Sequence, residues 1–448
     1  MPVTPDFSSI PEPLREPPVQ AWQRMLANAK PELPAALAAN DGDWLESVPR
    51  VWGASNFVAG ACARQPEMLG ELLTSGDLLR SRDAGELAAV VGRTADAGDE
   101  ETLGCELRRI RRREMVRIAW RDLAGWAEVE ETLSDVSALA EACIDSALAR
   151  LHQWQVARHG EPVGARNDEQ IGLVVLGLGK LGGGELNYSS DIDLVFAYPE
   201  EGETRGERPI SNHQFFLRLG QALIRTLDQV TAEGFVFRTD MRLRPNGDSG
   251  PLAISFAAME HYYQTHGRDW ERYALIKAQV VGGNRQAGRA LLQELRPFVY
   301  RKYLDYGAFE SIRSMKEMIE RELLRKGMER NIKLGRGGIR EIEFLAQSYQ
   351  LIRGGRELSL QTQRLYAALE ALRELGVLEA DAVAELIDAY RFLRNTEHRL
   401  QMVDDRQTQL LPTDEVEQLR LAWSMGYSDW KTYSAALNAH RDAVHRQF

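Results

Sequence analysis

Cysteine is scarce in this sequence of 448 residues, which contains only Cys62, Cys105 and Cys143. Their wide spacing fits neither a disulfide framework nor a zinc site and is typical of proteins of the reducing cytoplasm. The sequence also lacks the ~18 consecutive apolar residues of a membrane-spanning helix and the basic start and apolar run of a secretory signal. We therefore expect a cytoplasmic protein that does not contact a membrane.

An excess of basic residues is also absent, since 55 lysines and arginines face 66 aspartates and glutamates, for a net charge of −11. Proteins that bind nucleic acid usually show the opposite balance, so this charge argues against a DNA or RNA partner. The arginine run at 108–113 is better interpreted as a solvated or partner-facing helix surface. The sequence contains no G-x-S-x-G and no H-E-x-x-H, so hydrolase and protease functions lack support.

Proline is distributed unevenly and indicates where long helices can form. Six of the 17 prolines lie in the first 18 residues, which predicts an irregular leader, whereas none lies between Pro66 and Pro162. We predict an α+β protein with an N-terminal helical region (1–130), a core with a small mixed sheet (131–305) and a C-terminal helical bundle (306–448). The last residues, HRDAVHRQF, carry no stop signal, and we expect the chain to be a fragment of a longer protein.

Hydrophobic patterns place the elements within these regions. The predicted strands are Ile171–Leu176, Ile192–Tyr198 and Phe235–Arg244, with a helix over His213–Leu227. Short strands with a helix between them are typical of a small mixed sheet. In the tail, apolar residues recur at helical spacing. They are Val383, Leu386, Tyr390, Leu393 and Leu400 in one segment and Ile342, Leu345, Tyr349 and Ile352 in another.

The segment Gly177–Leu194 (GLGKLGGGELNYSSDIDL) is the most informative. Its G-x-G-x-x-G pattern matches the dinucleotide-binding fingerprint, but that fold needs a full crossover helix, and the next strand begins too soon, by Ile192. We favour a phosphate-binding loop, because glycine lets backbone N–H groups approach an oxyanion closely. The candidate phosphate-binding residues in this segment are Gly179, Lys180, Gly182, Gly183, Ser189 and Ser190.

Asp191 and Asp193 form the second feature of the segment. Residues i and i+2 of a strand point to the same side, so both carboxylates are expected on one face. Like charges held this close repel each other unless a cation neutralises them, and Mg²⁺ prefers carboxylate oxygens. The alternative is a solvated Asp-x-Asp pair at a strand edge. The glycine-rich turn, the two serines and the apolar strand favour a metal site.

Asp240 is the candidate for a third carboxylate. Catalysis by two metal ions generally needs a further acid to complete the cage. If the strand around Asp240 is regular, Arg242 and Arg244 share its face and bind phosphate oxygens. A surface ladder of salt bridges along the strand is the alternative.

Two later segments are weaker candidates for the same site. Lys277, in GRDWERYALIK, is a candidate phosphate ligand, or simply an exposed lysine on a helix. The segment Ile332–Phe344 (IKLGRGGIREIEF) places glycines before a helix that begins near Ile339, which is a plausible anion site. A simple loop between helices is the alternative. The charged candidates here are Lys333, Arg340, Glu341 and Glu343.

Several of these segments together resemble one enzyme family. GLGKLGGGELNYSSDIDLVF, FRTDMRLRPNGDSGPL, GRDWERYALIKA and IKLGRGGIREIEFLAQ resemble the bifunctional glutamine synthetase adenylyltransferase/adenylyl-removing enzymes. The resemblance implies a polymerase β-like nucleotidyltransferase core in which Asp191, Asp193 and Asp240 are the metal-binding catalytic carboxylates, with Mg²⁺, or Mn²⁺ in its place. Lys180 departs from the Gly-Ser or Gly-Gly turn of the wider superfamily.

Members of that family carry two catalytic halves in one polypeptide, and this chain resembles the first, adenylyl-removing half. The resemblance therefore implies removal of AMP from a tyrosine of glutamine synthetase by phosphorolysis, with release of ADP. It implies as partners glutamine synthetase, inorganic phosphate, AMP or ADP, a PII-type signal protein and the adenylylating half of the same polypeptide. The alternatives are adenylyl transfer from ATP to glutamine synthetase and a docking half without catalysis.

Overall fold

Helices make up most of the secondary structure of this computed structural model, which describes residues 4–30, 33, 37, 42–166, 168–302, 306–323 and 328–448. In chain order they are α1 (Glu12–Asn28), α2 (Asp43–Ala54), α3 (Asn56–Arg64), α4 (Pro66–Thr74), α5 (Ala84–Gly92), α6 (Glu100–Ala124), α7 (Val129–His159), α8 (Gly179–Gly182), α9 (Asn212–Asp228), α10 (Phe256–Thr265), α11 (Asp269–Leu275), α12 (Arg285–Val299), α13 (Tyr306–Leu323), α14 (Ile339–Arg353), α15 (Leu365–Glu374), α16 (Ala380–Met402), α17 (Glu415–Ser424) and α18 (Trp430–Gln447). Within these ranges, no helix is long and apolar enough to span a membrane.

Helix α6 shows how the sequence defines these elements. It begins after Asp99, whose side chain accepts a hydrogen bond from the Thr102 N–H, and it ends at Gly125 with a left-handed φ of 77°. Leu103 and Leu107 of its apolar face are buried. The prediction of an irregular leader over the first 18 residues is wrong from Glu12 onward, because helix α1 begins there and includes Pro13, Pro17 and Pro18.

The arginine run on α6 is only in part the predicted solvated or partner-facing surface, because Arg109 is exposed whereas other members of the run are not. Arg108 and Arg111 are buried. Arg111 makes a bidentate ion pair with Asp405, at 2.5 and 3.1 Å, and Arg112 pairs with Glu233 at 2.9 Å. The helix therefore directs several of these guanidinium groups into the protein.

The strands are β1 (Glu161–Pro162), β2 (Val174–Gly177), β3 (Ile192–Tyr198), β4 (Thr204–Arg205), β5 (Thr239–Asp240), β6 (Ala253–Ser255) and β7 (Gln279–Gly283). Strand β3 lies at the centre of a five-stranded mixed sheet with the order β5-β3-β2-β7, and β6 also pairs with β3. β2 runs antiparallel to β3, whereas β5 and β6 run parallel to it. The antiparallel β2–β3 pair excludes the Rossmann alternative, and the small mixed sheet is confirmed.

The two faces of β3 contact different hydrophobic cores. Ile192 and Leu194 belong to the cluster that contains residues of α6, α7 and α9, including Trp120 and Ile144. Val195 belongs to the cluster formed with α10 and α12 on the opposite face. Because side chains alternate along a strand, Asp193 lies on the same side as Val195. This alternation brings the acidic pair to one face of the sheet.

The third predicted strand is much shorter than expected. Of Phe235–Arg244, only Thr239 and Asp240 pair with β3. The chain then turns, with the Arg244 N–H bonded to the Met241 carbonyl at 3.3 Å. Arg242 and Arg244 therefore do not extend a regular strand face from Asp240, because the backbone has left the sheet.

The helices after the sheet form a core of their own. Ile342 of α14, Leu369 of α15, Tyr390 of α16, Leu421 of α17 and Tyr433 of α18 belong to one buried cluster. The predicted helical spacing is confirmed there, since the apolar residues singled out in α14 and α16 lie on these helices. This bundle packs next to the loop that leads into β3, which matters for the site described below.

Candidate active site

The start of β3 brings two of the predicted carboxylates together. In the parallel pairing of β3 with β5, Asp193 is the register partner of Asp240. Asp191 precedes the strand by one residue. Neighbouring strands lie about 4.8 Å apart. The sheet therefore places Asp193 beside Asp240, although the two residues are far apart in the chain.

The predicted glycine loop lies against Asp193. Helix α8 is a single turn that follows β2 directly. Gly179 has a φ of +55°, and a Cβ at this position would lie 2.5 Å from the Asp193 Oδ2 atom. Only glycine combines this backbone conformation with such a close approach. The loop thus forms one wall beside the carboxylate.

The environment of Asp193 raises its pKa to about 6, first because the half-buried side chain is shielded from water and then because the negative charge of Asp240 lies nearby. The positive charge of Lys333 opposes this shift. The second glycine loop therefore contributes a cation to the site, as the charged residues of 332–344 suggested. A carboxylate in this environment is electrostatically favourable only when further positive charge is present.

Two of the three aspartates are held by arginines. Arg242 Nε lies 3.0 and 2.9 Å from the two Asp240 carboxylate oxygens, and this pairing lowers the pKa of Asp240. Asp191 accepts a hydrogen bond from Arg238 Nε at 2.9 Å, and Arg238 also donates to Ser189 Oγ at 3.0 Å. Sequence reasoning missed Arg238, although it stands two residues before Asp240.

The predicted phosphate role of Arg244 is not supported by its contacts. Its guanidinium donates to the carbonyls of Met241, Asp248 and Gly250. These bonds hold the turn after β5, since three backbone acceptors occupy the side chain. Arg242 is the more exposed of the two arginines.

The remaining phosphate candidates of the first loop lie in varied surroundings. The Ser189 N–H donates to Gln401 Oε1 at 2.8 Å, and the Ser190 hydroxyl donates to the Asp191 carbonyl at 3.1 Å. Gly182 packs against the carbonyl of Lys277, and Gly183 lies near the Glu185 carboxylate. Their proposed contact with phosphate stays a prediction.

Lys277 is neither exposed nor available to phosphate. It is buried, with its amine 3.0 Å from Glu185 and 3.1 Å from Glu343. Both carboxylates offset its charge, and together they raise its pKa although burial opposes this. These contacts do not support the predicted binding of phosphate by Lys277, and Glu343 serves as one of its partners.

Lys180 is also buried, but it is less well compensated. Its amine lies 3.7 Å from Glu397 Oε2 and makes no hydrogen bond with the described residues. Burial, followed by the positive charge of Arg394, lowers the pKa of Lys180 to about 8. A lysine next to the glycine turn with an amine free of hydrogen bonds is chemically suited to an oxyanion.

The glycine loop before α14 packs against the last helix. Gly337 has a φ of +66°, and a Cβ there would lie 2.0 Å from the Arg441 carbonyl. Glu341 is buried and lies 3.2 Å from His445 Nδ1. The Arg340 charge acts on the half-buried Tyr273. Close packing against the last helix therefore accounts for Gly337. Of the charged candidates in this segment, Lys333 is the one whose charge acts on Asp193.

The carboxylate groups of the three aspartates are chemically suitable ligands for a divalent cation. Carboxylate oxygens are the ligands that Mg²⁺ prefers, and Asp193 is a half-buried acid beside a second one. Within the ranges that the structure describes, however, no three His, Cys, Asp or Glu side chains are gathered closely enough to form a metal cage. In this arrangement Arg238 holds Asp191 and Arg242 holds Asp240.

Comparison with known proteins identifies the family. Residues 45–294 match the family model described as glutamate-ammonia ligase adenylyltransferase, and this range contains all three aspartates. The chain belongs to this family. Residues 313–448 match a second model, described as GlnD PII-uridylyltransferase, and this range contains helices α14 to α18.

Curated relatives agree with the family match. The chain is 54% identical over 406 residues to a protein of Thioalkalivibrio sulfidiphilus, with 90% of this chain and 42% of the relative covered. It is 52% identical over 429 residues to a protein of Pseudomonas aeruginosa, with 94% of this chain and 44% of the relative covered. Both relatives are named bifunctional glutamine synthetase adenylyltransferase/adenylyl-removing enzyme. The chain spans less than half the length of these relatives.

Proposed function

We propose that this chain is the adenylyl-removing part of such an enzyme, with a polymerase β-like nucleotidyltransferase core. Its reaction is the phosphorolysis of adenylyl-tyrosine on glutamine synthetase, which releases ADP and the unmodified protein in the cytoplasm. Membership of the family supports nucleotidyltransferase chemistry on glutamine synthetase. Coverage of less than half of each relative supports an assignment to one half of a two-activity polypeptide.

The pairing of Asp193 with Asp240 is the observation that carries this proposal. Two acids on neighbouring strands, with Asp191 one residue before the first strand, provide oxygen ligands for Mg²⁺ at one edge of the sheet. When bound there, Mg²⁺ would neutralise charge on the transferred phosphoryl group and on the leaving oxygen. Acidic side chains alone would repel a phosphate, so the proposed activity depends on added metal.

The side chains of this chain then position the reactants. An oxygen of inorganic phosphate attacks the α-phosphorus, the bond from that phosphorus to the tyrosine oxygen breaks, and the phenolate takes up a proton from solvent. Arg242, which holds Asp240, and Lys333, whose charge acts on Asp193, bring positive charge that suits phosphate oxygens to the aspartates. Lys180 adds a buried amine on the adjoining glycine turn. Most of the rate enhancement would come from positioning and from electrostatic stabilisation.

The C-terminal helices suggest a regulatory partner. The match of residues 313–448 to a PII-uridylyltransferase model supports a PII-type signal protein as the partner of this region. The adenylylating half of the same polypeptide is the other expected partner. In this arrangement, the bundle that contacts the loop before β3 would carry the signal.

Product analysis tests the proposed reaction. The chain is incubated with adenylylated glutamine synthetase, inorganic phosphate and Mg²⁺, and the nucleotide product is identified. We expect ADP, formed only when both phosphate and metal are present. Release of pyrophosphate from ATP with labelling of unmodified glutamine synthetase would instead assign adenylyl transfer. Folded protein that yields neither product would contradict both reactions and leave the docking role.

A further inference from the structure

A cavity lined by charged and aromatic residues lies between α6 and the chain that leads to β5. It has a volume of about 370 Å³, and the charged and aromatic residues around it include Arg64, Arg108, Arg111, Arg112 and Phe235. This volume is at the lower end of the range for small-molecule pockets, roughly 300–1,000 Å³. Neither Asp191 nor Asp193 lines this cavity.

Arg108 is the unusual member of this cavity. Its residue is 7% exposed, and its Nε makes no hydrogen bond. Unlike Arg111 and Arg112, it makes no ion pair with any carboxylate in the part of the chain that the structure describes. Burying a guanidinium without a partner is costly, so a buried arginine in this state indicates that a counter-ion is missing.

The charges around the cavity show which kind of counter-ion fits. The Asp405 carboxylate is neutralised by the bidentate pair with Arg111, and the Glu233 carboxylate by Arg112. Arg108 remains, together with the exposed Arg64, which likewise has no ion pair with the described residues. Two guanidinium groups thus remain uncompensated at one cavity, which suits a ligand with two negative charges.

We propose that this cavity binds a small dianion whose oxygens accept hydrogen bonds from Arg108. The planar guanidinium fork matches carboxylate and phosphate oxygens equally well. The shared chemistry of the ligand is therefore a doubly charged oxyanion on a small metabolite. A dicarboxylate and a phosphate are its two sources, and the experiment separates them.

The cavity is connected to Asp191 through one aromatic ring. The guanidinium of Arg111 lies 4.7 Å from the Phe235 ring centroid, and that of Arg238 lies 4.8 Å from it. Arg238 in turn donates to Asp191. A ligand that draws the arginines of the cavity towards itself changes the packing of Phe235, and thereby the support of Asp191. This step rests on the proposed function, whereas binding of the dianion does not.

Calorimetric titration with succinate and, separately, with inorganic phosphate tests the binding site in the full chain. No Mg²⁺ is added, so that phosphate does not bind at the candidate active site, which requires metal. We expect one of these dianions to bind the wild type, and Arg108→Gln to weaken that binding at least tenfold. Arg109→Gln is the matched control, because Arg109 is the next residue on α6 but is exposed and pairs with Glu71. Its affinity should stay within twofold of the wild type. Absence of binding by both dianions, or equal affinity in the wild type and Arg108→Gln, would overturn the proposal.

Thermal unfolding separates a lost ligand site from a damaged fold. Removal of an uncompensated buried charge should leave the Tm of ligand-free Arg108→Gln equal to or above that of the wild type. The binding dianion should raise the Tm of the wild type and leave that of the variant unchanged. A variant that melts well below the wild type without ligand would contradict the inference, because Arg108 would then have a stabilising partner.

The rate of ADP release tests the connection to Asp191. With saturating succinate, we expect the rate of the wild type to change at least twofold and that of Arg108→Gln to stay constant. Binding without a change in rate would overturn the connection and retain the site. If the wild type releases no ADP under any condition, the proposed function fails, while the calorimetry still decides whether the dianion binds.

Discussion

Asp193 combines a half-buried position with a close acidic neighbour, which makes it the most informative single residue for a test. We expect Asp193→Asn to lower the rate of ADP release by at least about a thousandfold, since the loss of several kcal/mol of metal-dependent stabilisation has this effect. The fold should be retained, because asparagine has nearly the same shape and removes a charge that the surroundings disfavour. Activity and urea unfolding of the purified variant measure the two effects.

Asp168→Asn is the matched control for this substitution. Asp168 is exposed, pairs with Arg205 and has a φ of +57°, which asparagine tolerates well. The same chemical change there should leave the rate within twofold of the wild type. An Asp193→Asn protein that keeps activity within a few-fold would contradict the assignment of Asp193 to the metal.

Single residues of the site were predictable to different degrees. The Asp-x-Asp pattern identified Asp191 and Asp193 because alternation along a strand is a local property. Arg238 gave little signal, since an isolated arginine after a phenylalanine has many uses, and only the fold brings it to Asp191. Lys277 was misjudged because its two carboxylate partners lie 92 and 66 residues away in the sequence, and no local pattern reveals such pairing.

At the scale of elements, helix α16 supports the loop that leads into the active site. Arg394, Glu397 and Gln401 lie on one side of the helix, because residues three and four apart are neighbours. Arg394 donates to Asn187 Oδ1 at 2.5 Å, Asn187 donates to Glu397 at 2.8 Å, and Ser189 donates to Gln401. The position of Asp191 thus depends on a helix some two hundred residues away in the chain.

Glu397→Gln tests this support. Glu397 is fully buried, and its carboxylate lies near Lys180 and Arg394. Glutamine retains an acceptor for Asn187 but leaves both cations without their counter-charge, so we expect a loss of about 3–5 kcal/mol in the free energy of unfolding. Urea unfolding at neutral pH measures it. Glu385→Gln, on the exposed side of the same helix, should change it by less than about 0.5 kcal/mol. Equal stabilities of the two variants would show that Glu397 does not balance these charges.

Elements were predicted best where one pattern continued over many residues. The strand Ile192–Tyr198 was found with its bounds, and the helix predicted at His213–Leu227 lies within α9. The third strand was overestimated because Phe235–Arg244 alternates like a strand, whereas the edge of β3 pairs only with Thr239 and Asp240 at its start and with β6 from Phe196 onward. Alternation of apolar and polar residues shows that a segment can form a strand. The length of the strand depends on how many residues of the neighbouring strand are free to pair with it.

Across the whole molecule, buried ion pairs connect helices that are distant in sequence, and these contacts had no signature in the sequence. The Asp122 carboxylate of α6 pairs with Arg399 of α16 and faces His398. It is buried beside these partners, and although burial opposes the effect, Arg399 and His398 hold its pKa well below the usual range. This contact therefore ties the N-terminal helices to the C-terminal bundle as long as Asp122 is ionised.

The stability of the chain should therefore depend on acid in a defined way. Because the pKa of Asp122 is lower in the folded than in the unfolded protein, its contribution is complete above the unfolded pKa of about 3.9 and is lost as the pH falls below that value. In urea unfolding between pH 7 and pH 3, we expect Asp122→Asn to be less stable than the wild type at pH 7. Below about pH 4, the free energy of unfolding of the variant should fall less steeply with pH than that of the wild type. The two slopes should differ by up to about 1.4 kcal/mol per pH unit. Asp388→Asn, at an exposed position of α16, should follow the wild type throughout. If the free energy of unfolding of Asp122→Asn instead stays parallel to that of the wild type down to pH 3, the ionised Asp122–Arg399 pair does not stabilise the contact between α6 and α16.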